Sequence, residues 1–468
     1  RVLFRSSGAT TVSEGILSIT NSGALGTTAA GTSVGTGGVL QVSNNVSVTG
    51  EALTLTSGAG GSATLSNLSD SNTWTGNLTV DTGADASNRA VLNSDAGNLL
   101  ISGSINLSSG TQDFVLRGDG NGEISGQITG SQRLFKSSVG AGTWTLSGDN
   151  SSTFTGRATV GNGALQVSSE ANLGATPGSF EANQLTLGGG SANGALKTTA
   201  TMSLSANRGV TLGTMGGTFD TAAATTLTVN SVIASAAGAL VKIGTGTLSL
   251  AGNNTYVGGT TVSVGTLLAV NTLGSATGAG PVTVDSGATL GGNGFIAPGV
   301  DGNITVNGTL QVGAAGDASA QQLTITTTGV GLVTVNNIVV FDLFSGQGSG
   351  VLNDATHNDQ LVVSGSNGFA IGAGAQLHVS TSLPIDGTWV AGSSWRLFDW
   401  SGLTGGVTGE FSNLSDPAPF NYMNLPDLSS IGLAWEYSAG TLTVVVPEPG
   451  RMLLLFLGLM GLFFRRRR

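Results

Sequence analysis

Apolar and polar residues alternate along most of the chain, in short runs that end at glycine or asparagine. The unit Gly-x-Leu-x-Val occurs at residues 38–42, 163–167, 308–312 and 440–444. Because successive side chains of an extended chain point to opposite faces, each run predicts a strand with one buried face. The glycine that opens the unit supplies the positive φ that a tight turn requires. The pattern therefore predicts an all-β protein.

A longer block recurs in front of such strands. Residues 73–80 read TWTGNLTV, residues 153–160 read TFTGRATV, and residues 255–262 read TYVGGTTV. The blocks start 80 and 102 residues apart, which fits about four and about five coils of roughly 20 residues each. Drifting repeats and small side chains favour stacked coils over a sandwich or a barrel. We therefore predict a parallel β-helix-like solenoid over residues 7–335.

The aromatic residues of the three blocks, Trp74, Phe154 and Tyr256, are predicted to share one column of the stacked coils. Aligned aromatic residues in successive coils usually pack in the core, although they can also bind sugars. We interpret this column as core. The same alignment places three glycines at matching turns, Gly76, Gly156 and Gly258.

The composition supports a folded chain with many turns. Glycine accounts for 77 of 468 residues, yet 39% of the residues are hydrophobic and the mean hydropathy is +0.24. Such a chain has enough apolar surface to bury, so its glycines belong at turns rather than in a flexible linker. The chain has no cysteine, which excludes disulfides, thiolate zinc sites and cysteine nucleophiles.

Both ends depart from the repeats. Residues 1–6 resemble a translated sequencing adapter and are left out of the fold prediction. No methionine opens the sequence, as expected if an N-terminal signal peptide is missing from it. Six of the nine prolines and four of the six tryptophans lie beyond residue 383. We therefore predict a distinct C-terminal β region at residues 336–446, which caps the open end of the solenoid.

The C-terminal tail, residues 447–468, carries the sharpest pattern. It is introduced by a short proline motif, Val446, Pro447, Glu448 and Pro449. Residues 452–464 are 13 uncharged and mostly aliphatic residues, and they are followed by four arginines, Arg465, Arg466, Arg467 and Arg468. Proline ends the strand, the apolar run is predicted to form a short transmembrane helix, and the arginines should stay cytoplasmic. A helix of this length spans about 20 Å against about 30 Å of hydrocarbon, so the tail suits a processed signal better than a permanent anchor.

The repeats and the tail resemble two known families. Residues 255–275 (TYVGGTTVSVGTLLAVNTLGS) and 282–296 (VTVDSGATLGGNGFI) resemble autotransporter-associated β-strand repeats. The tail resembles a PEP-CTERM sorting signal, and residues 341–400, with DQLVVSG and WRLFDW, are similar to the region often found before such tails. The resemblance implies export to the surface of a Gram-negative-type cell. It also implies transient membrane insertion of the tail and cleavage near Pro447 by an exosortase-type membrane protease.

Short motifs of known chemistry are weak in this chain. Arg117-Gly118-Asp119 matches an adhesion tripeptide, but a surface turn is the better account in a chain so rich in glycine and aspartate. Two glycine-rich segments begin like calcium loops, yet Ile124 and Ile296 stand where such loops need glycine and aspartate. Calcium at other Asp/Asn turns is left open, and we predict no other cofactor or metal.

The sequence also lacks a convincing catalytic constellation. The densest titratable cluster, Asp354, His357 and Asp359 in NDATHND, is interpreted as a polar loop. His378 lies between two apolar residues, so strand alternation points it outward. The sequence contains no nucleophile elbow, phosphate loop or His-Glu-x-x-His motif. We therefore predict no catalytic residues and no enzyme activity.

Three functions remain in competition. The preferred one is an exported structural or adhesive repeat protein of the cell surface or extracellular matrix, with extracellular polysaccharide as a candidate partner. The second is a polysaccharide-degrading β-helix enzyme, which would need acids clustered on one face. The third is an autotransporter passenger truncated before its export domain, against which the terminal arginines argue.

Charge sets a first testable expectation. The first six residues and the tail hold seven of the 16 basic residues, so the remaining body has 9 basic and 25 acidic residues and a net charge of about −16. Since this sign repels phosphate backbones, duplex DNA should not shift with the protein in an electrophoretic assay at about 0.15 M salt. A variant with Arg465 to Arg468 replaced by serine separates the tail from the body, and a retarded band with that variant would contradict the prediction.

Overall fold

The computed structural model describes most of the chain between residues 6 and 446. The described residues are 6–58, 61–82, 89–109, 112–190, 192–315, 318–344, 358–365, 367–381, 390–412, 428 and 433–446. Within them the chain forms short strands in six sheets and one 3₁₀ helix, Glu170–Leu173. The all-β prediction is confirmed for this part of the protein.

The longest sheet has 15 strands, one from each of 15 successive coils, where a coil is one circuit of the chain. Its strands are Ser47–Val48, Ser71–Trp74, Asn98–Ile101, Asn121–Ile124, Thr143–Leu146, Ala164–Val167, Gly194–Thr198, Gly217–Thr221, Leu240–Ile243, Thr260–Val262, Val282–Val284, Ile304–Val306, Val333–Val335, Phe369–Ile371 and Val407–Thr408.

Four further sheets take the other strands of the coils. The six-stranded sheet contains Thr10–Val12, Thr32–Val34, Leu53–Thr56, Leu78–Asp81, Ile105–Ser109 and Ile128–Gly130. The ten-stranded sheet contains Gly15–Ile19, Gly38–Val42, Ala63–Asn67, Ala90–Ser94, Phe114–Arg117, Leu134–Lys136, Ala158–Val160, Glu181–Leu187, Arg208–Leu212 and Ile233–Ala234. The eight-stranded sheet contains Met202–Leu204, Thr226–Val229, Thr247–Leu250, Thr266–Ala269, Thr289–Gly292, Thr309–Val312, Ile338–Leu343 and Gln376–Thr381. The four-stranded sheet contains Phe295–Ile296, Gln322–Thr326, Gln360–Gly365 and Phe398–Leu403.

All neighbouring strands in these five sheets pair in parallel, which is the arrangement of a β-solenoid. The register stacks like on like, as in the leucine ladder of the eight-stranded sheet: Leu227, Leu248, Leu267, Leu290 and Leu310. Every member of this ladder is fully buried. Strand alternation therefore builds one continuous apolar core along the rod, as the sequence predicted.

Glycine opens two of the four Gly-x-Leu-x-Val units in the left-handed backbone region, with φ of 62° at Gly163 and 85° at Gly440. Space adds a second constraint at Gly163, because a Cβ there would lie 2.6 Å from the carbonyl oxygen of Ala141 in the preceding coil. Coils stacked this closely leave no room for a side chain at such corners.

The solenoid extends further than the boundary predicted between residues 335 and 336. Ile338–Leu343 pairs in parallel with Thr309–Val312 on one side and Gln376–Thr381 on the other, and Val407–Thr408 still pairs in parallel with Phe369–Ile371. Alternating apolar residues continue through these segments, and alternation is all that the ladder needs. The enrichment in tryptophan marks the last coils and their end rather than the start of a separate region.

A three-stranded antiparallel sheet follows the last coils. It contains Ser394–Arg396, Thr441–Val445 and Ala434–Ser438, with Thr441–Val445 in the centre. Aromatic side chains meet in this sheet, where the ring centroids of Trp395 and Trp435 lie 5.6 Å apart.

No helix among the described residues is long and apolar enough to cross a membrane. The transmembrane helix predicted at residues 452–464 belongs to the tail, residues 447–468, which lies outside the described residues.

The leucine ladder gives a stability prediction. Leu267→Ala should lower the free energy of unfolding by about 2–5 kcal/mol, because it removes buried methyl groups and leaves a cavity between two rigid rungs. Leu273→Ala makes the same substitution at a residue that is 74% exposed, and it should change stability by about 0.5 kcal/mol or less. Urea unfolding followed by circular dichroism measures both, and equal midpoints for the two variants would contradict the ladder.

Candidate functional site

The proline motif begins where the last strand ends. Thr441–Val445 is hydrogen bonded on both edges, and its Leu442 and Val444 are fully buried. Val446 is 62% exposed, so the chain leaves the antiparallel sheet directly into solvent. The remaining residues of the predicted signal lie outside the described residues: Pro447, Glu448, Pro449, Arg465, Arg466, Arg467 and Arg468.

The aromatic residues of the three repeat blocks are buried, which confirms their interpretation as core. The prediction that they share one column is wrong. Trp74 pairs with Ile101 in the 15-stranded sheet. Phe154 forms an isolated bridge with Gly130 of the six-stranded sheet. Tyr256 lies beside the ten-stranded sheet, since the N–H of the preceding Thr255 donates to the carbonyl of Ile233.

Variable coil length explains why the blocks fall on different faces. From the first block to the third, residues paired in the 15-stranded sheet are separated by 20 residues between Leu240 and Thr260 but by 31 between Ala164 and Ala195. Separations of 80 and 102 residues therefore do not correspond to whole numbers of coils. The local role of the block glycines survives, since a Cβ at each would lie within 2.3 Å of a carbonyl oxygen of the preceding coil: Gly76, Gly156 and Gly258.

Buried asparagines just before two of these blocks join successive coils. The side-chain oxygen of Asn254 accepts the N–H of Ile233 in the preceding coil at 2.7 Å, and its amide nitrogen donates to the carbonyl of Ala276 in the next coil at 2.5 Å. Asn150 does the same with Ile128 and Asn172, at 2.7 and 2.8 Å. The sequence showed these asparagines only as turn residues. Their position two or four residues before the aromatic was the available signal.

Two buried lysines were missed by the sequence analysis. Lys242 Nζ donates to the carbonyls of Ile243, Gly244 and Val264 at 2.8, 2.7 and 3.2 Å. Lys136 Nζ donates to two carbonyls of its own turn, at 3.4 and 3.0 Å. Burial lowers the pKa of each lysine to about 8. A pKa in this range suits a catalytic base, but both side chains are at most 1% exposed, so they hold turns together and cannot contact a substrate.

Arg208 is a third buried cation, and its side chain is 1% exposed. Like the two lysines it clamps the backbone by donating hydrogen bonds to carbonyl oxygens. Its guanidinium lies 2.9 Å from the Glu170 carboxylate and donates to the carbonyls of Leu173, Gly174 and Ala175. These carbonyls follow the 3₁₀ helix and would otherwise be unpaired by backbone. The arginine therefore fixes the path of the chain after residue 173.

The Arg117-Gly118-Asp119 tripeptide forms a corner between two strands. Asp119 Oδ1 accepts the backbone N–H of Ala141 at 2.9 Å, and the carbonyl of Arg117 accepts the indole N–H of Trp144 at 3.2 Å. Both contacts join the corner to the next coil. This geometry fits a structural turn, in which the carboxylate is already engaged.

The titratable cluster of NDATHND is only partly described, because Asp354 and His357 lie outside the described residues. Asp359 is buried and its carboxylate accepts the N–H groups of Gln321 and Asp342, at 2.9 and 3.0 Å. His378 is half-buried on the outward face of its strand, as predicted, and partial desolvation lowers its pKa. Across the described ranges, no group of three or more His, Cys, Asp or Glu side chains could hold a metal ion.

Comparisons with known proteins agree with this architecture. Residues 139–167 and 240–269 match the passenger-associated-transport-repeat family, and residues 445–468 match the PEP-CTERM protein-sorting motif. The chain is 36% identical over 214 residues, 44% of its length, to the adhesin BmaC autotransporter of Brucella suis biovar 1 (strain 1330). It spans only 6% of the length of that curated relative. The chain thus carries passenger-type transport repeats and a C-terminal sorting motif, which support an exported, cell-surface protein.

The buried lysines predict an unusual dependence of stability on pH. Between about pH 8 and 10.5, Lys136 and Lys242 are deprotonated in the folded chain but protonated in the unfolded chain. Since the unfolded state then binds more protons, stability should rise with pH through this window. Burial raises the pKa of Tyr256 and of Tyr437, so above about pH 10 these residues act in the opposite direction.

Denaturant midpoints measured from pH 7.5 to 9.5 test this dependence. The slope should be positive for the unaltered protein and for Lys197→Met, a control in which the lysine is only half-buried. It should disappear in the double variant Lys136→Met/Lys242→Met. A flat profile for the unaltered protein would overturn the assignment.

Proposed function

We propose that this protein, a rod of passenger-type repeats followed by a PEP-CTERM sorting motif, is an exported structural or adhesive protein of the cell surface or extracellular matrix. The observation that carries the proposal is the order along the chain: the parallel solenoid, then a three-stranded antiparallel sheet, then an exposed Val446 at the start of the motif. A rod that ends this way can stand outside the cell while a membrane protease acts on its tail.

The rod supplies the mechanical part of the function. Fifteen stacked strands, spaced about 4.8 Å apart, extend about 70 Å. Backbone hydrogen bonds between coils and the continuous core make such a rod stiff, and strands paired on both edges resist the local opening that a protease needs.

The outward faces supply the adhesive part. In the 15-stranded sheet four half-buried threonines stack in register, Thr261, Thr283, Thr305 and Thr334. Stacked hydroxyls can both donate and accept hydrogen bonds, as a polyhydroxylated partner requires. This surface favours extracellular polysaccharide as a partner and supports a non-enzymatic role.

The alternative functions have less support. A polysaccharide-degrading enzyme needs neighbouring carboxylates, whereas Asp119 and Asp359 are each engaged in backbone hydrogen bonds between coils or strands. The truncated-passenger alternative agrees with the likeness to an autotransporter adhesin. The sorting motif at residues 445–468 favours the exosortase route over self-export.

We propose that residues 452–464 insert transiently as a short transmembrane helix. Backbone groups in lipid find partners only within a helix or a closed sheet. Arg465 to Arg468 should hold the C-terminal end in the cytoplasm, since each arginine costs about 2.5–3.5 kcal/mol at the bilayer centre on insertion scales. An exosortase-type protease would then cut near Pro447-Glu448-Pro449 and free the rod outside.

The C-terminal peptide mass of protein recovered from the cell exterior tests this route. In a host with the protease, the exterior protein should end near Pro447 and lack Arg468. Replacing Arg465 to Arg468 with serine should let uncut chain slip through the membrane, because the positive stop is gone. Replacing Pro447 and Pro449 with alanine should leave uncut chain in the membrane.

Arg451→Ser is the matched control, since it removes a tail arginine outside the terminal cluster. This variant should be processed like the unaltered chain. Recovery of unaltered protein with an intact Arg468 from the exterior would overturn the sorting route.

A further inference from the structure

The positive charges of the solenoid are few and unevenly placed. Only nine lysines and arginines lie between residues 7 and 446, and three of them are the buried clamps Lys136, Arg208 and Lys242. Three of the other six, Arg89, Arg133 and Arg157, precede consecutive or near-consecutive strands of one sheet. A body with a net charge of about −16 therefore concentrates half of its remaining cations in one place.

Strand register aligns these arginines in a single column. Ala90, Phe114, Leu134 and Ala158 pair in sequence along the ten-stranded sheet. The residues immediately before them are Arg89, Asp113, Arg133 and Arg157. Parallel rungs lie about 4.8 Å apart, so the column is a short ladder of guanidinium groups with one carboxylate among them.

The column is not fully neutralised by its own acids. The Asp113 carboxylate accepts hydrogen bonds from Nε and Nη2 of Arg133, at 2.7 and 2.6 Å. Its Oδ2 also lies 3.4 Å from Nε of Arg89. Nη2 of Arg157 is as far as 3.6 Å from the Glu181 carboxylate, and both side chains are nearly half exposed. Three cations thus face two carboxylates, and Arg157 holds the weaker, more solvated pair.

A groove runs beside Arg133 and Arg157. It has a volume of about 500 Å³, and its walls include Thr155, Ser179, Gln184 and the Glu181 carboxylate as well as the two arginines. This volume lies within the range of small-ligand sites, which is about 300–1,000 Å³. Hydroxyl, amide and guanidinium groups converge in it, a set that matches hydroxyls and carboxylates of a sugar acid. A ligand carboxylate would compete with Glu181 for Arg157, and that pair is long and solvated.

The opposite wall of the groove is braced from inside the protein. It is formed by residues 175–179. The buried Arg208 donates to the carbonyls of Gly174 and Ala175, each at 2.9 Å, and Asn207 Nδ2 donates to the carbonyl of Pro177 at 2.9 Å. A loop held by three side-chain hydrogen bonds loses little freedom when a ligand binds, so the groove is preorganised.

We propose that this groove binds carboxylate-bearing sugar units of an acidic polysaccharide, with Arg157 as the principal contact to the carboxylate. The inference rests on the proposed function, since an exported rod meets extracellular polysaccharide. It assigns a particular face and charge type to that partner. Guanidinium groups bind carboxylates through two parallel hydrogen bonds, which a neutral glucan cannot accept with charge.

Isothermal titration with polygalacturonate tests the groove. At about 0.15 M salt, where repulsion by the net-negative body is largely screened, the unaltered protein should bind this polymer and not dextran. Arg157→Gln should reduce the affinity for polygalacturonate by roughly tenfold. The affinity of Arg157→Lys should lie between those of Arg157→Gln and the unaltered protein, because lysine keeps the charge but loses the bidentate guanidinium. Lys197→Gln removes one charge from the outward face of another sheet and should stay within about twofold of the unaltered protein.

Several results would overturn the proposal. They are an absence of polygalacturonate binding, an equal loss with Lys197→Gln, equal binding of dextran, or preference for dextran sulfate or duplex DNA over polygalacturonate. Export and C-terminal processing of Arg157→Gln are followed in parallel. Lost binding with normal processing supports the groove, whereas missing polygalacturonate binding in a correctly exported protein refutes the groove and leaves the proposed function standing.

Discussion

Backbone hydrogen bonding between successive coils is the constraint on which the other features depend. Each strand of a parallel stack needs a partner above and below, so each coil must return to the same register about 4.8 Å further along. In-register return stacks like residues, as in the run from Leu227 to Leu310. It also brings corners so close that Gly76 could not carry a Cβ without meeting the carbonyl oxygen of Glu51 at 1.8 Å.

The same constraint leaves buried polar backbone groups at the corners, outside the strand ladders. The chain satisfies them with a small set of buried polar side chains. Asn150 and Asn254 bridge three coils each, and Lys242 and Arg208 each donate to three carbonyls of their corners. Leaving a buried carbonyl unpaired costs about 1–3 kcal/mol, so these residues decide whether a coil of variable length can be accommodated at all.

Charge then divides into two roles. Buried cations such as Lys136 and Arg208 stabilise the fold, whereas the side chains of the arginine column are exposed at the surface: Arg89, Arg133 and Arg157. Arg208 links the two roles, because it braces the loop that faces Arg157 across the groove. At the other end of the rod, the antiparallel sheet closes the last coils and releases Val446 to solvent. The buried cations and the exposed arginine column thus belong to the solenoid, whereas the strand that leads to the sorting motif belongs to the antiparallel sheet.

The sequence by itself determined the all-β class, the solenoid, the core-facing residues of the alternating strands and the position of the sorting motif. These follow from local signals: a period of two, glycine at turns, and the order of proline motif, apolar run and arginines. Only the tertiary structure decided which coils are neighbours. Trp74, Phe154 and Tyr256 look equivalent in the sequence but lie on different faces of the coils. The coils between them differ by up to 11 residues in length, from 20 between Leu240 and Thr260 to 31 between Ala164 and Ala195. For the same reason the arginine column and the contact between Lys242 and the carbonyl of Val264 were invisible in the sequence, since residues that meet across coils have no fixed spacing along the chain.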